Sequence, residues 1–331
     1  MKHPPYHLRT NKAVDRLTFA SVVRCLDHNL AKCRYITLGG PFLEDLRIMD
    51  QFFPGMHLVS LEANKQTYLR QDFHMFSSQI KLLNTTLADY LTHTYEPGEI
   101  DVFWLDYTDL KFVRFEEFQR VLTLVPNGSV VRITLRAEPE IDIEPLRGRV
   151  PDETITRVRS DLEAKFTEEF ESVLPHPPAG AFASPKDFAV MVQLMVRRAA
   201  SKALDTAGST RDFLPILSTR YNDQTQMISV TGTVYSRNQQ AAAIERFKSV
   251  PSADFEWNEP TEINIPALSV KERMHLERRL PVPKNYKNKP GEYLKGKLKY
   301  RIDNTEGRSI QQLAQYAAHH RDYPTFIRLT I

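Results

Sequence analysis

The stretch from Arg34 to Asp109 constrains the chain most. It opens with Arg-Tyr-Ile-Thr-Leu-Gly-Gly-Pro, a short apolar run that ends in the glycine pair Gly39 and Gly40. An amphipathic run follows, apolar at Leu43, Leu46, Ile48, Met49 and Phe52 and polar at Glu44, Asp45, Arg47 and Asp50. A second apolar run, His57-Leu-Val-Ser-Leu-Glu62, ends on a carboxylate. A third, Ile80 to Asn84, leads into Thr85 and Thr86, and a fourth, Ile100-Asp-Val-Phe-Trp-Leu-Asp106, ends on another acid. Four such runs with helical patterns between them predict the mostly parallel sheet of a doubly wound α/β fold. Each predicted strand carries polar groups at its carboxyl end, where sheets of this kind bind ligands.

The glycine turn and the first acid are the specific part of the pattern. Glycine lets a backbone approach a ligand closely, and a helix N-terminus just beyond favours electron-rich groups. Glu62 lies 23 residues after Gly39. A carboxylate after the second strand can accept both ribose hydroxyls of a nucleoside. With Asp106 two strands later, the order predicts a nucleoside-type ligand. The dinucleotide spacing Gly-x-Gly-x-x-Gly is absent, because Pro41 and Glu44 stand at its second and third glycine positions. The plainer reading is a strand-to-helix turn followed by solvated acids.

At these residues the chain resembles class I S-adenosylmethionine-dependent methyltransferases, sharply over residues 35–109 and by pattern over roughly 10–235. The resemblance implies S-adenosylmethionine as cofactor, held by Thr37, Gly39, Gly40, Glu62, Thr86 and Asp106. Thr37 stands where these enzymes usually carry an acid, and Thr86 or Asn84 would meet the adenine amine. Asp106-Tyr107-Thr108-Asp109 falls where methyl-acceptor chemistry usually occurs. Asp106 and Tyr107 are thereby implied as catalytic residues, Asp106 to orient the acceptor or take its proton and Tyr107 to stack on it. Likeness to the Asp/Asn-Pro-Pro-Tyr/Phe motif of amino-group methyltransferases is partial, since both prolines are missing. The plainer reading of Asp106-Tyr107 is a helix-entry acid beside a packing tyrosine. The implied function is a methyltransferase of unknown acceptor. The alternative is a catalytically silent member of the fold that serves as a binding or scaffold subunit.

The rest of the chain is expected to complete this plan. Pro4 and Pro5 keep residues 1–9 extended, and Asn11 is expected to cap a helix over residues 12–30. In the resembled fold such a helix lies over the cofactor mouth, making Tyr6, Lys12, Asp15 and Arg16 pocket candidates; read locally, and preferred here, they form a solvated face. A helix over Phe112 to Leu124 and a fifth strand over Ser129 to Leu135 follow. Residues 138–173 form an insertion, a loop and then a charged helix broken by Pro175-His-Pro-Pro. Ser184 and Pro185 open a further helix to Leu204. Phe213–Tyr221 and Thr225–Tyr235 predict an antiparallel hairpin that closes the sheet. Residues 1–240 then make a methyltransferase-like domain, and residues 241–331 a C-terminal appendage with helices over 269–280 and 309–320.

The appendage carries the charge. Residues 271–301 hold eleven basic and three acidic side chains, a balance of +8 in a chain whose net charge is +3. Tyr286, Tyr293 and Tyr300 lie among them. Neutralised phosphates plus aromatic stacking is how proteins hold single-stranded nucleic acid. A partner protein with an acidic surface and a solvated basic loop are the other readings. No apolar run reaches the length of a membrane span, and the N-terminus lacks a signal-like apolar core. With only Cys25 and Cys33 present, a cytoplasmic location is expected. His74, His319 and His320 lack metal-ligand spacing, so no metal is expected; Phe103 and Trp104 are expected in the core.

Overall fold

The computed structural model describes residues 9–26, 32–138, 152–175, 181–182, 184–206 and 208–324. In chain order these form α1 (Thr10–Arg24), β1 (Cys33–Leu38), α2 (Glu44–Phe52), β2 (His57–Leu61), α3 (Lys65–His74), β3 (Lys81–Leu83), α4 (Leu87–His93) and β4 (Ile100–Asp106). Next come α5 (Phe112–Leu124), β5 (Val130–Arg136), α6 (Asp152–Phe170), α7 (Pro185–Leu204), β6 (Arg211–Asp223), β7 (Thr225–Ser236) and α8 (Gln240–Phe247). The chain continues through β8 (Thr261–Ile263), α9 (Val270–Glu277), α10 (Pro290–Leu298) and α11 (Glu306–His319).

The strands make one sheet in the order β3-β2-β1-β4-β5-β7-β6-β8. The first five strands pair in parallel, and β7 runs antiparallel to β5. This is a mixed α/β sheet, mostly parallel with antiparallel strands on one side, as the resemblance implied. Its central strand β4 is apolar on both faces from Val102 to Leu105 because both are covered. Along β4, Phe103 and Leu105 join the core with Phe115 and Phe118 of α5 and Val192 and Met195 of α7. Val102 and Trp104 point the other way, into a core with Phe19 and Val22 of α1 and Leu46 and Met49 of α2. Register sets Thr37 beside Ser60 of β2 and Trp104 of β4, so the carboxyl ends of β1, β2 and β4 lie together.

Local chemistry explains several element ends. Ser184 caps α7 by accepting from the Asp187 N–H at 3.4 Å, with Pro185 in the first turn. The end of α5 is closed from outside: the Arg211 guanidinium donates to Leu122 O (3.2 Å), Thr123 O (3.0 Å) and Val125 O. Those are acceptors that a helix end leaves unfilled.

Two expectations about the first helix are corrected. It begins at Thr10, so Asn11 lies inside it and does not cap it. The Asn11 side chain instead donates to Asn222 O (2.9 Å) and accepts from the Ile265 N–H (2.8 Å). The helix ends at Arg24, well before Leu30. Lys12, Asp15 and Arg16 do not form a solvated face, because all three are buried, at 5%, 0% and 6% exposure. Tyr6, most of the 138–150 loop, the prolines after His176 and the apolar end from Ile327 lie outside the described residues.

The chain divides into two units. The larger spans Phe19–Arg220 and Gln224–Thr261; the smaller takes Tyr221–Asp223 and the described parts of Met1–Thr18 and Glu262–Ile331. In the smaller unit Leu276, Leu294, Leu298, Leu313 and Tyr316 are buried. There α10 and α11 approach so closely that a Cβ on Gly291 would lie 2.0 Å from Ile310 O. Ser269 and Glu272 form a capping box at the start of α9. No helix among the described residues is long and apolar enough to cross a membrane.

Candidate functional site

Gly39 is buried, and a Cβ there would lie 2.1 Å from Ser60 Oγ and 2.9 Å from Gln71 Nε2. Gln71, fully buried on α3, donates to Gly39 O and accepts from Ser60 Oγ at 3.2 Å. The turn is therefore clamped against β2 and α3, and only glycine fits. Gly40 differs. It is exposed, and nothing lies within 4 Å of the position its Cβ would take. Packing does not explain that glycine; an approach of its backbone to a ligand would.

Beside the turn stands an acid that sequence reasoning missed. Asp45, in the first turn of α2, accepts with Oδ2 from the Tyr35 hydroxyl and from Thr37 Oγ1, both at 2.8 Å. A carboxylate from the following helix thus stands beside Thr37. Asp45 Oδ1 makes no hydrogen bond or ion pair among the described residues. Burial, then the charge and hydrogen bond of Asp45, push the Tyr35 hydroxyl far above its ordinary value, and the charge of Asp106 adds to the effect. Tyr35 is consequently a fixed donor with both acids near it. Asp106 itself is half-buried at the end of β4, opposite Thr134 in register. The signal for Asp45 was present: an acid in the first turn of the helix that follows an acid-free glycine turn.

Glu62 lies just past β2, where its N–H donates to Leu83 O at 3.0 Å. It is half-buried. Burial pushes its carboxyl up, and the Asn64 N–H, donating to Oε1 at 2.7 Å, pulls it partly back. Oε2 has no partner among the described residues. Asn84 pins the same loop by donating Nδ2 to Glu62 O (2.7 Å) and Ala63 O (3.3 Å), and its Oδ1 has no partner among the described residues. Thr86 caps α4: Oγ1 accepts from the Asp89 N–H (3.0 Å) and donates to Asp89 Oδ2 (2.7 Å).

Tyr107 is buried, and its hydroxyl donates to Glu117 Oε2 at 2.7 Å. The Arg114 guanidinium lies 4.5 Å from its ring centroid and also binds Glu117 at 3.1 Å and both oxygens of Asp109 at 3.0 and 3.2 Å. Burial, then Glu117, hold the Tyr107 hydroxyl far above its ordinary value. One ring face and the hydroxyl thereby lie against the start of α5. The structure thus brings Gly39, Gly40, Thr37, Glu62 and Asp106 to the carboxyl ends of neighbouring strands, sets Asp45, Tyr35 and Asn84 near them, and gives Thr86 and Tyr107 hydrogen-bond partners of their own. The described residues hold no group of three or more His, Cys, Asp or Glu side chains that could ligate a metal.

A family model described as "Putative O-methyltransferase" matches residues 4–331. No curated protein sequence matches the chain. Similar solved structures include Pyrococcus horikoshii TYW2 in complex with MeSAdo, at 11% identity over 65% of this chain and 62% of that one, TM-score 0.32. LepI in complex with SAM is 10% identical over 61% of this chain and 43% of that one, TM-score 0.35. The plantazolicin methyltransferase BpumL in complex with SAH is 7% identical over 67% of this chain and 85% of that one, TM-score 0.38. The chain spans less than two thirds of the length of TYW2 and less than half that of LepI.

Proposed function

The chain belongs to this O-methyltransferase family, and from that premise we propose that it transfers the methyl group of S-adenosylmethionine to an oxygen atom of its acceptor. The observation that carries the reading is the pair of carboxylates, Glu62 and Asp45, each with one oxygen that has no partner among the described residues, at the carboxyl ends of the strands beside the exposed Gly40. A carboxylate whose burial opposes its charge, as at Glu62, gains most when ligand donors replace water around it.

The donor set suits the cofactor. Glu62 accepts from the ribose hydroxyls, and Asn84 Oδ1 accepts from the adenine amine. Asp45 Oδ1 accepts from the ammonium of the methionine part, with Tyr35 and Thr37 fixing the carboxylate. Thr37 therefore acts through Asp45. Gly39 and Gly40 let the backbone of the turn come close. When bound, S-adenosylmethionine supplies an electrophilic methyl group on a sulfonium. Asp106 orients the acceptor hydroxyl and takes its proton at a carboxylate oxygen. Positioning of this kind is most of what methyl transfer asks of a protein.

Thermal unfolding with S-adenosylhomocysteine tests the reading. At one hundred times Kd the ligand should add about 2.7 kcal/mol, or roughly 5–10 °C for a unit of this size. No shift at millimolar ligand would leave the fold as a silent binding or scaffold subunit.

A further inference from the structure

The smaller unit carries a basic, tyrosine-bearing surface that the proposed chemistry does not use. Six of its exposed cations, Lys271, Arg278, Lys284, Lys287, Lys297 and Lys299, have no carboxylate within ion-pair distance among the described residues. The acids of the same tract are spent elsewhere: Glu277 on Arg273, Glu292 on Lys289, and Glu272 on Ser269 and the Tyr300 hydroxyl.

Contacts link Lys297 to two of the tyrosines, and chain position puts Lys284, Lys287 and Lys299 next to Tyr286 and Tyr300. Tyr300 donates to Glu272 at 2.6 Å, and His275 Nε2 lies 3.1 Å from Lys297 O, which holds the end of α10 against α9. Lys297 Nζ lies 4.9 Å from the centroid of Tyr293. Tyr293 in turn lies 4.9 Å from Tyr286, centroid to centroid and tilted by 43°. A strip thus runs from α9 over Lys297 and Tyr293 to Tyr286 and its flanking lysines. Gly291, Leu294 and Leu298 bury the opposite side of α10. Tyr286 and Tyr300 are 38% and 48% exposed, so ring area is left open among unpaired charges.

We propose that this strip binds single-stranded nucleic acid, the lysines meeting phosphates and the tyrosines stacking on bases. Several exposed cations without a carboxylate partner suit a polyanion, and exposed rings suit unpaired bases, which present a face that a duplex hides. A protein partner fits less well. Docked proteins share an apolar centre, and the exposed large aliphatic side chains among the described residues of this unit are only Val270 and Met274.

The test uses the full chain and fluorescein-labelled mixed-sequence 20-mers, as single-stranded RNA, single-stranded DNA and duplex DNA, by anisotropy over a salt series. Single strands should bind at low salt, with affinity falling linearly on a log–log plot. Replacing Lys284, Lys287 and Lys297 together by glutamine should lower that slope by about two units, at roughly 0.7 per lost phosphate contact. Tyr286→Ala should weaken single strands about tenfold and leave the slope unchanged. Absence of binding at 20 mM salt would overturn the proposal. So would equal affinity for the duplex with no effect of Tyr286→Ala, or equal competition by polyglutamate, since either would make the strip a general anion surface.

Discussion

Replacing Gly39 by alanine probes the clamp under the turn. The new Cβ would meet Ser60 Oγ at 2.1 Å, Gln71 Nε2 at 2.9 Å and Ser60 Cβ at 3.3 Å. Ser60 and Gln71 are both fully buried, so neither can retreat into solvent. If Gln71 yields, Gly39 O loses its buried donor; if Ser60 turns, its bond to Gln71 goes. Overpacking of this kind costs about 1–3 kcal/mol, and the lost buried hydrogen bond about 1 more. The expected loss is therefore about 2–4 kcal/mol, read as a lower urea midpoint by circular dichroism. Ser60→Ala removes the atom that is struck first. In that background Gly39→Ala should cost about 1 kcal/mol less, a coupling that distant sites do not show. A Gly39→Ala protein as stable as the parent, with no coupling to Ser60→Ala, would refute the packing account of this glycine.

At the other end of β1, Asp101 is fully buried, takes two bonds from Arg34 at 2.8 and 2.9 Å and one from Tyr95 at 2.5 Å, and Asp101→Ala should cost about 3–5 kcal/mol in urea unfolding. Burial pushes the Asp109 carboxyl up, but the hydrogen bonds and charge of Arg114, with those of Lys111, outweigh it and hold the carboxyl below the ordinary aspartate value. The stability from this pair is complete above the unfolded value near about 3.9 and is lost as pH falls through the folded one. Arg114→Gln should remove that part of the acid dependence from the urea midpoint. Once an acceptor is in hand, Asp106→Asn should lower turnover far more than cofactor affinity; equal losses in both would put Asp106 on the cofactor side.

Much of the fold was legible because its determinants are local or periodic. The apolar runs of β1, β2 and β4 with polar groups at their carboxyl ends, and the Ser184-Pro185 start of α7, need no distant partner to be read. What escaped reading depends on residues far away in the chain. Asn11 is taken out of its capping role by Asn222 and Ile265, more than two hundred residues on. Lys12, Asp15 and Arg16 read as a wet face because charged residues at helical spacing usually are one, yet packing buries them. At the site, Gly39 and Glu62 could be read from spacing. Asp45 carried a local signal, its place in the first turn of α2, but choosing it over Glu44 needs the two hydroxyls of β1 that converge on it. Sequence reading chose Thr86 with Asn84 as the alternative; only hydrogen bonds separate the committed hydroxyl from the amide oxygen that has no partner among the described residues. Tyr107 likewise required sight of Glu117 and Arg114.

The most direct measurement is a calorimetric titration of the wild-type protein and Glu62→Gln with S-adenosylmethionine and S-adenosylhomocysteine, each paired with a thermal melt without ligand. Wild type should bind one equivalent. Glu62→Gln should lose about 1.5–3 kcal/mol, because hydrogen bonds to a charged carboxylate are replaced by weaker ones. Its unliganded melting temperature should not fall, since burial opposes the charge that the substitution removes and glutamine can still accept from the Asn64 N–H. A wild-type protein that gives no heat at millimolar ligand, or a Glu62→Gln protein that binds as tightly as the parent, would contradict the assignment of this site.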